Sequence, residues 1–177
     1  MKHYKFEPHS IYNCDETALT TVHRPPNVIA EKGAKQVGQI TSTECGTLLT
    51  MTAAIDAQGN AIPPFLIFPR VNFKEFLIKG APPGAIRTAH QIGWMTASVF
   101  EKWMDHYIKH TSYSISKPAL LLMNNHESHV SINADEKVKT NGAILLTFPP
   151  HSSHKLQPLD VSVYGPLKKY YNTACND

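Results

Sequence analysis

The chain has 177 residues, 42% hydrophobic and 18% charged, which fits one globular domain able to bury a core. Seventeen Lys and Arg against 14 Asp and Glu leave a net charge of +3, with ten histidines uncounted, so a polyanionic partner is permitted but not required. Three widely spaced cysteines without a CxxC pair argue against a disulfide framework, and the chain shows neither a signal-peptide core nor a membrane-length apolar run, so a soluble intracellular chain is expected.

In chain order, residues 1–16 predict a short strand ending near Asp15. Residues 17–46 are polar and broken by Arg24-Pro25-Pro26-Asn27 and Lys32-Gly33, which predicts a long connection, irregular or carrying a short strand at 34–41. Thr47–Asp56 reads as a strand, 56–60 as a turn and 61–68 as a returning strand; Pro63-Pro64 place that second strand at a sheet edge, because proline cannot donate to a ladder. Residues 69–95 read as irregular, with their clearest break at Gly80-Ala81-Pro82-Pro83-Gly84.

A helix is predicted after Thr96 as N-cap, because Val99, Phe100, Trp103, Met104, Tyr107 and Ile108 recur at helical spacing opposite Glu101, Lys102, Asp105 and Lys109. The apolar run Ala119–Met123 reads as a buried strand that stops at Asn124-Asn125-His126-Glu127-Ser128-His129. A short helix over 131–140 closes at Asn141-Gly142, a strand covers 143–148, and a last helix over 158–171 carries Asp160 in its first turn and a kink at Gly165-Pro166. This order predicts a mixed α/β sheet with antiparallel strands first and parallel crossover units after them.

Three of these segments end in polar clusters, and α/β sheets bind ligands where their strands end. Asn13-Cys14-Asp15-Glu16-Thr17, Asn124 to His129, and Pro149-Pro150-His151-Ser152-Ser153-His154-Lys155-Leu156-Gln157-Pro158-Leu159-Asp160 therefore suggest one shared site. The pairs His126/His129 and His151/His154 have spacing that can hold zinc. The favoured reading makes them hydrogen-bond partners and phosphate contacts around an acidic cluster, with structural zinc the lesser alternative.

The three motifs, with Ala30-Glu31-Lys32-Gly33 and Gly46-Thr47-Leu48-Leu49-Thr50, resemble the DDE superfamily endonuclease domain, in the branch of the pogo, Tigger and Jerky-like transposases. The resemblance implies an RNase H-like mixed sheet flanked by helices, a two-ion site for Mg2+ or Mn2+, and DNA strand cleavage and transfer. It places the three metal ligands at Asp15, Asn124 and Asp160, with asparagine standing where the family has an acid. It also makes residues 1–177 a single catalytic core without the N-terminal helix-turn-helix module of such transposases. DNA would then be held non-specifically, a partner protein would supply recognition, and the nucleus is the expected location.

Two divalent ions roughly 3.5–4 Å apart repel each other, and surrounding carboxylates must offset that repulsion. Asn124 brings no charge, and its amide end is a donor that cannot face a cation. A weakened metal site and impaired cleavage are expected. Two alternatives stay open: an active endonuclease completed by Glu127 or by the Asn124 carbonyl, and a non-enzymatic interaction module that keeps only the fold. His126, Glu127, His129, His151 and His154 would then support the acids or touch phosphate, and Lys32, Lys35, Lys155 and Lys168 would screen phosphate charge.

Overall fold

The computed structural model describes residues 4–20, 32–33, 48–111, 113–126 and 132–176. The strand β1 (Ile11–Thr20) lies inside a six-stranded sheet. Its residues 13–15 are all buried, as expected of a strand covered on both faces. It pairs antiparallel with β2 (Leu48–Asp56), which pairs antiparallel with β3 (Phe65–Pro69). Parallel to β3 runs β4 (Ile86–His90), and on the other side of β1 lie β5 (Ala119–Met123) and β6 (Ala143–Thr147), both parallel to it. The order across the sheet is β4-β3-β2-β1-β5-β6.

Three expectations are corrected here. The first strand runs five residues past Asp15, because Glu16 to Thr20 continue the ladder with β2. The strand after Pro63-Pro64 is not at the edge: the prolines precede it, and β4 covers its outer side. The stretch 69–95 is not wholly irregular, since it holds a 3-10 turn at Glu75–Ile78 and β4 itself. The strand suggested at 34–41 lies outside the described residues.

Helix α1 (Ala97–His110) packs Val99, Phe100, Trp103, Met104 and Tyr107 onto one face of the sheet, against Cys14, Ala54, Phe65, Ile67, Leu121 and Met123. Phe100, Trp103 and Tyr107 stack in sequence with centroids 5.5 Å apart, and Tyr12 of β1 meets Tyr107 edge-on at 5.4 Å. Thr96 holds the N-cap position with extended backbone, but its hydroxyl lies 3.3 Å from Ser98 Oγ and makes no cap bond to the backbone. His106 is also buried, with Nε2 2.7 Å from the Pro63 carbonyl.

Helix α2 (Ile132–Asn141) packs Ala134 and Val138 into the same core and ends at Gly142, whose φ of 92° is the left-handed cap its sequence predicts. The opposite face of the sheet is covered by the C-terminal segment. After a single helical turn, α3 (Ser153–Leu156), come a π-helical stretch at Leu159–Val163 and α4 (Tyr164–Asn176). Leu159 and Tyr164 bury there against Leu19 and Met51. Pro166 has no N–H to give Ser162, and the wider π turn just before it accommodates the missing bond. Helices on both faces of a central mixed sheet complete the architecture.

Candidate functional site

Side-chain alternation decides what reaches the site. On β1, Cys14 faces α1 while Leu19 faces the C-terminal helices, so Asn13 and Asp15, of the same parity as Leu19, point to the C-terminal side. On β5, Leu121 and Met123 take the α1 side, which leaves Leu122 and Asn124 on the other. The two strands run parallel with Asn13 opposite Leu122. Two residues further along, Asp15 and Asn124 therefore come side by side, and the Asn124 amide donates to Asp15 Oδ1 at 3.0 Å.

The third segment is pinned by two buried amides. Asn13 Nδ2 donates to the Gln157 side-chain carbonyl at 2.9 Å and to the Leu122 backbone carbonyl at 3.1 Å, while Asn13 Oδ1 accepts the Leu159 N–H at 3.2 Å. Gln157, with no exposed surface, donates to the Cys14 carbonyl at 2.9 Å. Tyr164 adds a bond from its hydroxyl to the Asp15 carbonyl at 2.5 Å. Asn13, Gln157 and Tyr164 thus tie β1, β5 and the C-terminal segment together, setting Asp160 one residue beyond the Leu159 anchor. Sequence reasoning passes over these three. The available signal is two amides inside otherwise apolar motif positions, where burial obliges each to find partners.

Asp15 is 5% exposed, while Asp160 lies at the surface. Burial, and after it the negative charge of Asp160, push the Asp15 carboxyl up to about 7, against a smaller opposing effect of the Gln157 hydrogen bond. Among the described residues no cation offsets the Asp15 charge. The Asn124 side chain fills part of that role with a neutral N–H, and its carbonyl accepts the His126 backbone N–H at 3.3 Å.

The structure therefore brings Asp15 and Asn124 into contact, with Asp160 close enough to perturb Asp15. Asp15 lies on β1, Asn124 just past β5 and Asp160 on the closing helical segment. His126 is exposed beside Asn124, and His151 and His154 are exposed around α3, His151 with φ of 59°. Lys155 and Lys168 are exposed on α3 and α4, and Lys32 is exposed. Glu127, His129 and Lys35 lie outside the described residues. Among the described residues no group of three or more His, Cys, Asp or Glu side chains is placed to hold a metal ion.

Residues 46–177 match the family described as DDE superfamily endonuclease. The chain is 30% identical over 173 residues to a Cochliobolus lunatus protein named MFS-type transporter clz9, covering 96% of this chain and 19% of that protein. It is 23% identical over 166 residues to the human pogo transposable element with KRAB domain, covering 93% of this chain and 27% of that protein. The chain thus spans roughly a fifth to a quarter of the length of these curated relatives. Among the described residues no helix is long and apolar enough to cross a membrane.

Solved structures of the Mos1 mariner paired end complex with Mn and with Mg superpose with a TM-score of 0.59 at 15% identity. They cover 97% and 94% of this chain and 49% and 48% of theirs. The six-stranded mixed sheet flanked by helices is the RNase H-like fold of that transposase.

Proposed function

The chain belongs to the DDE superfamily endonuclease family, and from that premise we propose that it is a transposase-derived domain that grips DNA through phosphates and whose metal-dependent strand cleavage is impaired at Asn124. The supporting observation is the Asn124 amide donating into Asp15 at 3.0 Å. An N–H group there takes one carboxylate oxygen that would otherwise be open to a cation.

A two-ion centre does not fit this donor set. Two divalent ions need several anionic oxygens close by, and hard cations such as Mg2+ select carboxylates. Asp15 and Asp160 supply two, and Asn124 offers a weak neutral ligand whose carbonyl already accepts from His126. What remains is positioning. Lys32, Lys35, Lys155 and Lys168 supply cations for phosphates without reading bases, and His126, Glu127, His129, His151 and His154 offer polar contacts around the acids. Residues 1–177 act as one catalytic-core domain that holds DNA non-specifically, with the nucleus as the place of action. Asp15 and Asp160 would hold a single Mg2+ or Mn2+ ion weakly, in place of the two-ion site the family resemblance implies.

Nicking of supercoiled plasmid in Mg2+ or Mn2+ tests this reading. The native chain should remain near background while Asn124→Asp gains about 100-fold or more, comparable to restoring one charge-stabilising group in a phosphoryl or acyl transfer site. Robust nicking by the native chain, abolished by Asp15→Asn, would establish the active-endonuclease alternative instead. DNA affinity that ignores salt would point to the interaction-module alternative, because counterion release accompanies phosphate contact.

A further inference from the structure

The chain has two tryptophans, and they have opposite surroundings. Trp103 is fully buried in the core under α1, whereas Trp94 is 65% exposed in the turn between β4 and α1, beside Ile92 at 61%. That turn is held firmly. Gly93 donates its N–H to the His90 carbonyl at 2.8 Å, and its own carbonyl accepts the Thr50 hydroxyl at 2.7 Å. Gly93 has φ of 70°, and a side chain there would come within 2.6 Å of the Pro69 ring. A large ring presented to solvent on a tethered turn loses little freedom when something binds it.

Topology places this turn on the same sheet edge as the acids. β1 and β5 both run toward the Asp15 and Asn124 edge, β2 starts from it, and β3 and β4 end at it. Thr50, which anchors Gly93, pairs with Ala18 and shares the parity of Cys14 and Ala54, so the turn is tied to the α1 face at that end of the sheet, opposite the face into which Asp15 points. The sequence leading into the turn is one-sided in charge. Residues 65–95 carry Arg70, Lys74, Lys79 and Arg87 against the single carboxylate Glu75. Glu75 is paired with Arg87, which also lies over the Phe73 ring at 4.6 Å. Arg70 follows directly on Pro69, the residue against which Gly93 packs, and is exposed. An apolar protein-docking patch would not be expected to carry such an excess of positive charge, whereas a groove for an anionic chain with flat bases would.

We propose that the Trp94 turn is a stacking platform for an unpaired base of single-stranded DNA, with Arg70 holding the adjoining phosphate. This deepens the DNA-binding reading and rests on it: a strand leaving the Asp15 face and rounding the strand ends toward α1 would set one of its bases on Trp94. Stacking on an aromatic ring is tolerant of sequence, since every base has a π-face.

Tryptophan emission tests it directly, because Trp103 is shielded and Trp94 is not. Oligothymidylate added to the full chain should quench the emission saturably, and Trp94→Leu should remove that quenching. The same variant should weaken oligothymidylate binding at least about fivefold, leave affinity for a duplex of equal length unchanged and melt with the native chain, while Trp94→Phe retains most of the affinity. Oligothymidylate binding by Trp94→Leu equal to that of the native chain would overturn the proposal, as would an equal loss for duplex. Duplex binding by the native chain without quenching by oligothymidylate would overturn stacking and leave the phosphate reading standing; binding of neither would overturn both. Self-association lost in Trp94→Leu, with emission indifferent to oligonucleotide, would assign the face to protein contact and refute the platform.

Discussion

Replacing Asp15 by asparagine should make the protein more stable, and the gain should depend on pH. The Asp15 carboxyl, 5% exposed, is pushed from 3.8 to about 7 by burial and by Asp160. Because the folded value lies above the unfolded one, the folded state favours the protonated acid. Below about 3.8 the group is neutral in both states and costs nothing; as pH rises toward 7 the unfolded chain ionises first and gains relative stability. Above 7 the cost is complete. At ~1.4 kcal/mol for each pH unit, the gap between 3.8 and about 7 corresponds to on the order of 4 kcal/mol. The substituted side chain would keep an oxygen for the Asn124 amide and offer its own N–H groups toward Asp160, so most of that cost should be recovered. For a domain of this size, Asp15→Asn should raise Tm by about 5–10 °C at pH 8 and by almost nothing at pH 4. Scanning calorimetry in chelator at both values is the assay. A variant less stable than the native chain at pH 8, or equally stabilised at both values, would refute the reasoning.

The Asn13–Gln157 lock makes a second expectation. Gln157→Ala should destabilise by about 2–3 kcal/mol in urea unfolding, because it strands the Cys14 carbonyl and the Asn13 amide. Combining it with Asn13→Ala should show coupling of about 1 kcal/mol or more in a double-mutant cycle; independent effects would deny the lock. Gly142→Ala should be the most damaging small substitution. Its φ is 92° and the new methyl would lie 2.3 Å from the Ser114 carbonyl carbon, so a fall of several kcal/mol in unfolding free energy is expected, at the upper end for backbone strain. If Lys155 and Lys168 each meet a phosphate, Lys155→Gln and Lys168→Gln should each flatten the log–log salt dependence of DNA binding by about 0.9. An unchanged slope would remove that residue from the interface.

Periodicity is a sound guide where burial is one-sided or complete. The helix over Ala97–His110 announces itself through Val99, Phe100, Trp103 and Tyr107, and the strand at Ala119–Met123 through an unbroken apolar run. It fails at β4, where Ile86 to His90 are all half-buried and show no alternation, so nothing separates them from a loop. The inner position of β3 is hidden for the same reason: its covering neighbour is that illegible strand. Asp15 and Asn124 can be associated from the sequence because each closes a conspicuous motif. That they touch follows from parity and parallel register, which only the sheet supplies. The positioning amides are harder to see, since a buried Gln157 reads like a surface residue until the carbonyl it serves, that of Cys14 far away in the chain, is known.

The central claim is that three chain segments converge around Asp15 and that a neutral amide has taken the place of a charge. Calorimetric titration of Mn2+ into the native chain and into Asn124→Asp, both freed of metal, measures this most directly. One added carboxylate a few ångströms from a divalent ion gains several kcal/mol at an effective dielectric near ~20, so Asn124→Asp should bind Mn2+ at least tenfold more tightly than the native chain. Equal affinity in the two proteins, or tighter binding by the native chain, would contradict it.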